Sequence, residues 1–133
     1  MSGVKDDLVS ALRDAGGDGL RDAWLFDETG HESLYLRPDV RDRVTDLNVE
    51  QYIDNERYGY VTRNTWESLH YTDYEFTIRG FGEFLLYRTF LGDGDRPVGL
   101  MASFDPEVAV SFPELTRTLY DCVADESVTV DGE

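Results

Sequence analysis

Between Tyr74 and Phe104 a dense apolar and aromatic run, YEFTIRGF, GEFLLYRTFL and RPVGLMASF, is cut into three pieces by Gly80-Phe81-Gly82 and Gly92-Asp93-Gly94-Asp95. Gly and Asp supply the backbone freedom and local hydrogen bonding of tight turns, so each break falls where a hairpin loop belongs. The run therefore predicts a three-strand antiparallel meander, and the rest of the chain must cover it. Placing Arg79 opposite Phe84 sets Glu75 against Arg88 and Phe76 against Tyr87, one charge pair and one aromatic pair. That register puts Tyr74, Phe76, Ile78, Leu85 and Tyr87 on a core face. Glu75, Thr77, Arg79, Phe84, Leu86, Arg88 and Phe90 fall on a mixed face that needs a cover or a partner.

Upstream, Val4, Leu8, Ala11, Leu12 and Ala15 recur at helical spacing across residues 3–15, and Gly16-Gly17 ends the helix. The segment LRDAWLFD reads as a strand covered on both faces. DETGH follows as a hairpin loop with Gly30 expected at positive φ, and Ser33 to Arg37 returns antiparallel until Pro38 stops it. Val40, Val44 and Leu47 predict a short helix. Asn48 with Gln51 forms a capping box ahead of a helix carrying Val49, Tyr52, Ile53 and Glu56 on one face, closed by Gly59. Tyr60 to Asp73 has no clean period and reads as a mixed connection with a helical turn near Thr65 to Leu69. After Phe104, a second capping box (Ser111, Glu114) opens a helix with the stripe Phe112, Leu115, Leu119, Cys122 and Val123.

The expected fold is thus α+β, in the order α-β-β-α-β-β-β-α: a five-stranded antiparallel sheet with helices on both faces, the first and last on one side and the middle one on the other. Residues 1–124 form a single domain, and 125–133 are expected to fray as an acidic tail. At 133 residues the chain can bury about two-thirds of its unfolded surface without staples.

Charge decides the environment. The 28 Asp and Glu against 12 Lys and Arg give −16, and Lys5 is the only lysine. Repulsion on that scale opposes compaction at ordinary ionic strength and is relieved in concentrated salt, where the Debye length falls to about 3 Å at 1 M. Together with 13% aromatic residues, which an acidic disordered chain would lack, this composition points to a folded protein of a salt-rich cytoplasm. The lone Cys122 excludes an intrachain disulfide, and no apolar stretch is long enough for a signal peptide or a membrane span.

The run NERYGY (55–60), Trp66 after Asn64-Thr65, and DYEFTIRGF followed by LLYR resemble a family of short haloarchaeal proteins to which no activity is assigned. The order of elements is similar to that of roadblock, longin and profilin-like domains, whose single long middle helix is here broken. That likeness implies a dimeric adaptor or regulator of nucleotide-dependent switches, acting as a homodimer or on another cytoplasmic protein.

Catalytic chemistry is not expected. No phosphate-binding glycine motif opens a helix, and GFGE and GDGD lie in turns. Asp93 and Asp95 lack the remaining ligands of a calcium loop, and His31 and His70 have no companions at metal spacing. Ser111 is accounted for as a cap and Cys122 as a buried thiol, so no catalytic residue, cofactor or metal is assigned. No basic stripe supports nucleic-acid binding, and no basic amphipathic helix supports membrane association. The candidate ligand or partner face is Arg79 and Arg88 with Phe84, Tyr87 and Trp66. Two guanidinium groups beside aromatic rings would grip an anionic ligand or an acidic segment, unless they pair with Glu75 and Glu83.

Overall fold

A computed structural model describes residues 3–44, 49–70, 72–92, 97–124 and 127–131. The chain forms α1 (Val4–Gly16), a 3-10 turn (Gly17–Gly19), β1 (Leu20–Phe26), β2 (His31–Leu36), and three consecutive helices α2 (Pro38–Val44), α3 (Val49–Arg57) and α4 (Gly59–Leu69). Strands β3 (Phe76–Gly80), β4 (Leu85–Leu91) and β5 (Val98–Phe104) follow, then α5 (Phe112–Cys122). The five strands make one antiparallel sheet in the order β2-β1-β5-β4-β3, so the N-terminal hairpin and the meander join through β1 and β5 at the centre. The α+β architecture read from the sequence is the one observed.

Each face of the sheet has its own core. Leu8 and Leu12 of α1, with Leu115 and Leu119 of α5, pack on Leu20, Leu25, Tyr87, Leu100 and Phe104 on one side. Ile53 of α3 packs with Trp24, Phe26, Leu86, Phe90 and Met101 on the other. The alternation along β4 separates Tyr87 from Leu86 and Phe90, as a two-residue period requires.

Several local expectations are corrected. The β3–β4 register differs by two residues: Phe76 faces Thr89, Thr77 faces Arg88 and Arg79 faces Leu86, with Phe81 N–H donating to the Phe84 carbonyl at 2.9 Å. An even shift leaves every strand residue on its expected face, but it removes the Glu75–Arg88 pair, because Arg88 finds a carboxylate on α3 instead. Among the described residues positive φ occurs only at Gly17 (57°) and Gly92 (88°). Gly30 does not need it, because Asp27 closes the β1–β2 loop by accepting from the N–H groups of Thr29 and Gly30, at 2.9 and 2.6 Å. Pro38, expected as a strand stop, also begins α2, where a missing N–H costs nothing. Ser111 stands at the N-cap of α5 without a side-chain capping bond. Leu47, Asn48, Asp93 and Asp95 lie outside the described residues.

A further correction concerns a longer segment. Gly59 opens α4 rather than closing the helix before it, and the mixed connection expected from Tyr60 onward is helical through Leu69. The C-terminal segment makes contacts with the rest of the chain in its described part. Val128 is buried in the α1/α5 core, and Asp131 meets Lys5 at 2.6 Å while its N–H donates to Glu32. Val130 packs against the same core, partly buried.

Candidate functional site

Helix α3 turns Val49, Ile53 and Glu56 toward the sheet at helical spacing, and Glu56 is 3% exposed. Arg79 of β3 and Arg88 of β4 reach the same carboxylate. Arg79 Nη1 lies 2.7 and 2.6 Å from the two oxygens, and Arg88 Nη1 lies 3.0 Å from Oε1. Arg88, 4% exposed, also donates through Nη2 to Tyr74 Oη and Thr77 Oγ1, both at 2.9 Å, while its Nε–H has no partner. One buried carboxylate thus holds two guanidinium groups, leaving the cluster with one net positive charge. Any anion entering here competes with Glu56 for donors it already uses.

The remaining members of the expected face do not converge. Phe84 lies on the same side of the sheet, stacked on Phe81 at 4.8 Å and capped by the guanidinium of Arg21 at 4.5 Å. Tyr87 is on the opposite face, stacked on Phe112, with its hydroxyl 2.5 Å from Thr116 Oγ1. Burial pushes that hydroxyl's pKa well above the ordinary phenol value. Trp66 is on α4, half exposed and stacked on His70 at 5.8 Å. Cys122 is half-buried, and burial raises its thiol pKa. Among the described residues no three His, Cys, Asp or Glu side chains are grouped to hold a metal ion, and no helix is long and apolar enough to cross a membrane.

A second surface was not anticipated. Gly59 approaches the sheet so closely that a Cβ would sit 2.6 Å from Arg88 Nη1 and 2.8 Å from Phe90 Cζ. From that contact α4 runs on with Tyr60, Arg63 and Glu67 turned inward: the Tyr60 ring packs on Phe90, Arg63 lies over Phe90, and Glu67 accepts the Tyr74 N–H just before β3. Its outward side carries Tyr58 (70% exposed), Val61 (67%), Trp66 (50%) and Leu69 (67%), with Thr62 and Thr65 between them. Of the five large exposed apolar residues among the described residues, three therefore lie on one helix and a fourth, Tyr58, at its N-cap, so the helix's polarity is inverted relative to its own core. Spacings of 3, 4 and 4 through Tyr58, Val61, Thr65 and Leu69 were visible in the sequence, but the polar inward side masked the period.

Over residues 6–124 the chain matches the family model described as a domain of unknown function, DUF7522. It belongs to that family. Among solved structures, DUF7522 as represented by this chain is similar to the gliding protein MglB from Thermus thermophilus, at 13% identity over 93% of both chains with a TM-score of 0.57. It is also similar to Myxococcus xanthus MglB, at 10% identity over 98% of both chains with a TM-score of 0.61. A third likeness is to an MglB with a tetrameric arrangement, at 15% identity over 93% of both chains and a TM-score of 0.51. These likenesses establish a shared roadblock-like fold. No curated protein matches the chain.

Proposed function

We propose that this DUF7522 chain is a non-catalytic, roadblock-like interaction adaptor of a salt-rich cytoplasm, working as a self-associated pair joined through α4. The observation that carries this reading is the neutral apolar side of α4, turned away from the chain's own core on a molecule of net charge −16. Two copies of such a chain repel almost everywhere. A strip holding Tyr58, Val61, Thr62, Thr65, Trp66 and Leu69 is where they can meet without bringing carboxylates together. A two-fold arrangement sets the strip against itself, as an isologous interface requires. An eleven-residue helix spans only about 16 Å, short of the roughly 800 Å² per partner of a stable interface, so a second element, for which the edge strand β3 is the candidate, has to complete the contact. The tetrameric arrangement named for one MglB structure agrees with a fold suited to association.

Light scattering at tens of micromolar protein in about 2 M KCl, where charge repulsion is screened, tests the reading. The expected result is a dimer or larger species that becomes monomeric when Val61 and Leu69 are both replaced by Glu, with cooperative melting retained. A strict monomer for the parent chain would overturn it.

A further inference from the structure

Under α2 and α3, on the Trp24 side of the sheet, lies a cavity of about 240 Å³ walled by Trp24, Val40, Val49, Tyr52, Leu86 and Met101. That is room for roughly eight waters at about 30 Å³ each, or for one small organic molecule. Its described walls are mostly apolar, with Arg43 of α2 and Tyr52 of α3 on the helix side and a charged β1 end. There the β1–β5 pairing shifts register between Leu20 and Asp22, and a bulge of this kind re-aims side chains. Arg21 and Asp22, neighbours in sequence, consequently both line the cavity.

The two charges differ in what they have left to offer. Asp22 is satisfied: one oxygen accepts from the N–H and the hydroxyl of Ser103, and the other accepts from Trp24 Nε1 at 3.2 Å. Nearby Asp105 is held in two parallel bonds by Arg37, at 2.8 and 3.0 Å. Arg21 itself lies over the Phe84 ring and makes a single long bond, 3.5 Å, to Ser103 Oγ, and among the described residues no carboxylate pairs with it. A guanidinium carries five N–H donors in a planar fork. Arg43, loosely tied to Glu83 at 3.4 Å, adds a second cation to the rim. On a chain with more than twice as many acids as bases, an under-used arginine at the mouth of an apolar cavity is a recognition feature.

The geometry points to a binding site for a small monocarboxylate with an aliphatic or aromatic body, its carboxylate on Arg21 and its body between Trp24, Val49 and Met101. The site shares Tyr52 and Leu86 with the recess beside Glu56 and Arg79 but takes no lining residue from α4, so it does not depend on self-association.

Octanoate and 3-phenylpropionate, with 1-octanol as the uncharged control, are titrated into the full chain in about 2 M KCl, and the two tryptophan indole N–H signals are followed by NMR. Carboxylates should shift the Trp24 signal saturably and leave that of Trp66, on α4, in place. Arg21→Gln should weaken carboxylate binding about ten- to a hundredfold while octanol binding stays weak. Val49→Trp, which fills the cavity from a half-buried wall position, should abolish binding with cooperative melting intact. Absence of a saturable Trp24 shift at about 10 mM ligand, equal binding of octanol and octanoate, or undiminished binding by folded Val49→Trp would each overturn the proposal.

Discussion

Glu56 does more for this molecule than any residue that looked functional in the sequence, because it is the counter-charge that lets Arg88 sit almost wholly inside the protein. Removing one partner of a buried pair strands the other, so Glu56→Gln should cost about 3–5 kcal/mol in a denaturant titration, the range for an uncompensated buried charge. If the loss is below about 1 kcal/mol, the pair is solvated rather than buried. Gly59→Ala should cost about 1–3 kcal/mol by forcing Arg88 and Phe90 aside. Asp105 adds a pH dependence. Its hydrogen bonds to Arg37 hold its carboxyl below the usual carboxylate range, so the folded pKa lies under the unfolded one. The stability it contributes is fully present above the ordinary Asp value and is lost as pH falls through the depressed folded one. Arg37→Met should therefore flatten the acid limb of the stability profile measured by circular dichroism. The faces of Arg79 and Arg88 were legible because a two-residue period survives a register shift of two. Their shared partner was not, since nothing local ties a glutamate of the middle helices to strands more than twenty residues on.

At the scale of elements, legibility followed burial. Helices α1 and α5 were readable because each buries one apolar stripe in its own chain, Leu8 and Leu12 in one and Leu115 and Leu119 in the other. Helix α4 reads in the sequence as an irregular connection because its core-facing side is Gly59, Tyr60, Arg63 and Glu67, and its apolar side faces out. The same difference predicts how each helix responds to truncation. Leu12→Ala should cost about 2–5 kcal/mol at any protein concentration. Leu69→Ala, at a position two-thirds exposed in the single chain, should stay within about 0.5 kcal/mol in dilute solution. Its cost should appear only as concentration rises, seen as a melting temperature that no longer climbs with protein concentration. The Arg21 bulge was equally hidden, because the pairing of β1 with β5 joins strands from opposite ends of the chain and no hairpin announces it.

For the whole molecule, the decisive quantity is −16 spread over 133 residues. Ion pairs such as Arg57 with Glu50 and Asp54, or Lys5 with Glu32 and Asp131, gather two acids around a single cation, yet 28 acids cannot be neutralised by 12 bases. On the proposed reading, the excess is tolerated because its range is short in concentrated salt. Screening lengths fall from about 10 Å at 0.1 M salt to about 3 Å at 1 M, less than the spacing of most surface charges. Melting temperature should therefore rise steeply with KCl up to about 1 M and then flatten, since little repulsion remains to be screened. At about 50 mM salt and neutral pH the chain should lose helicity without acid or heat. Full helicity and cooperative melting under those conditions would show that the two cores alone outweigh the charge, and the inference of a salt-rich environment would go with it.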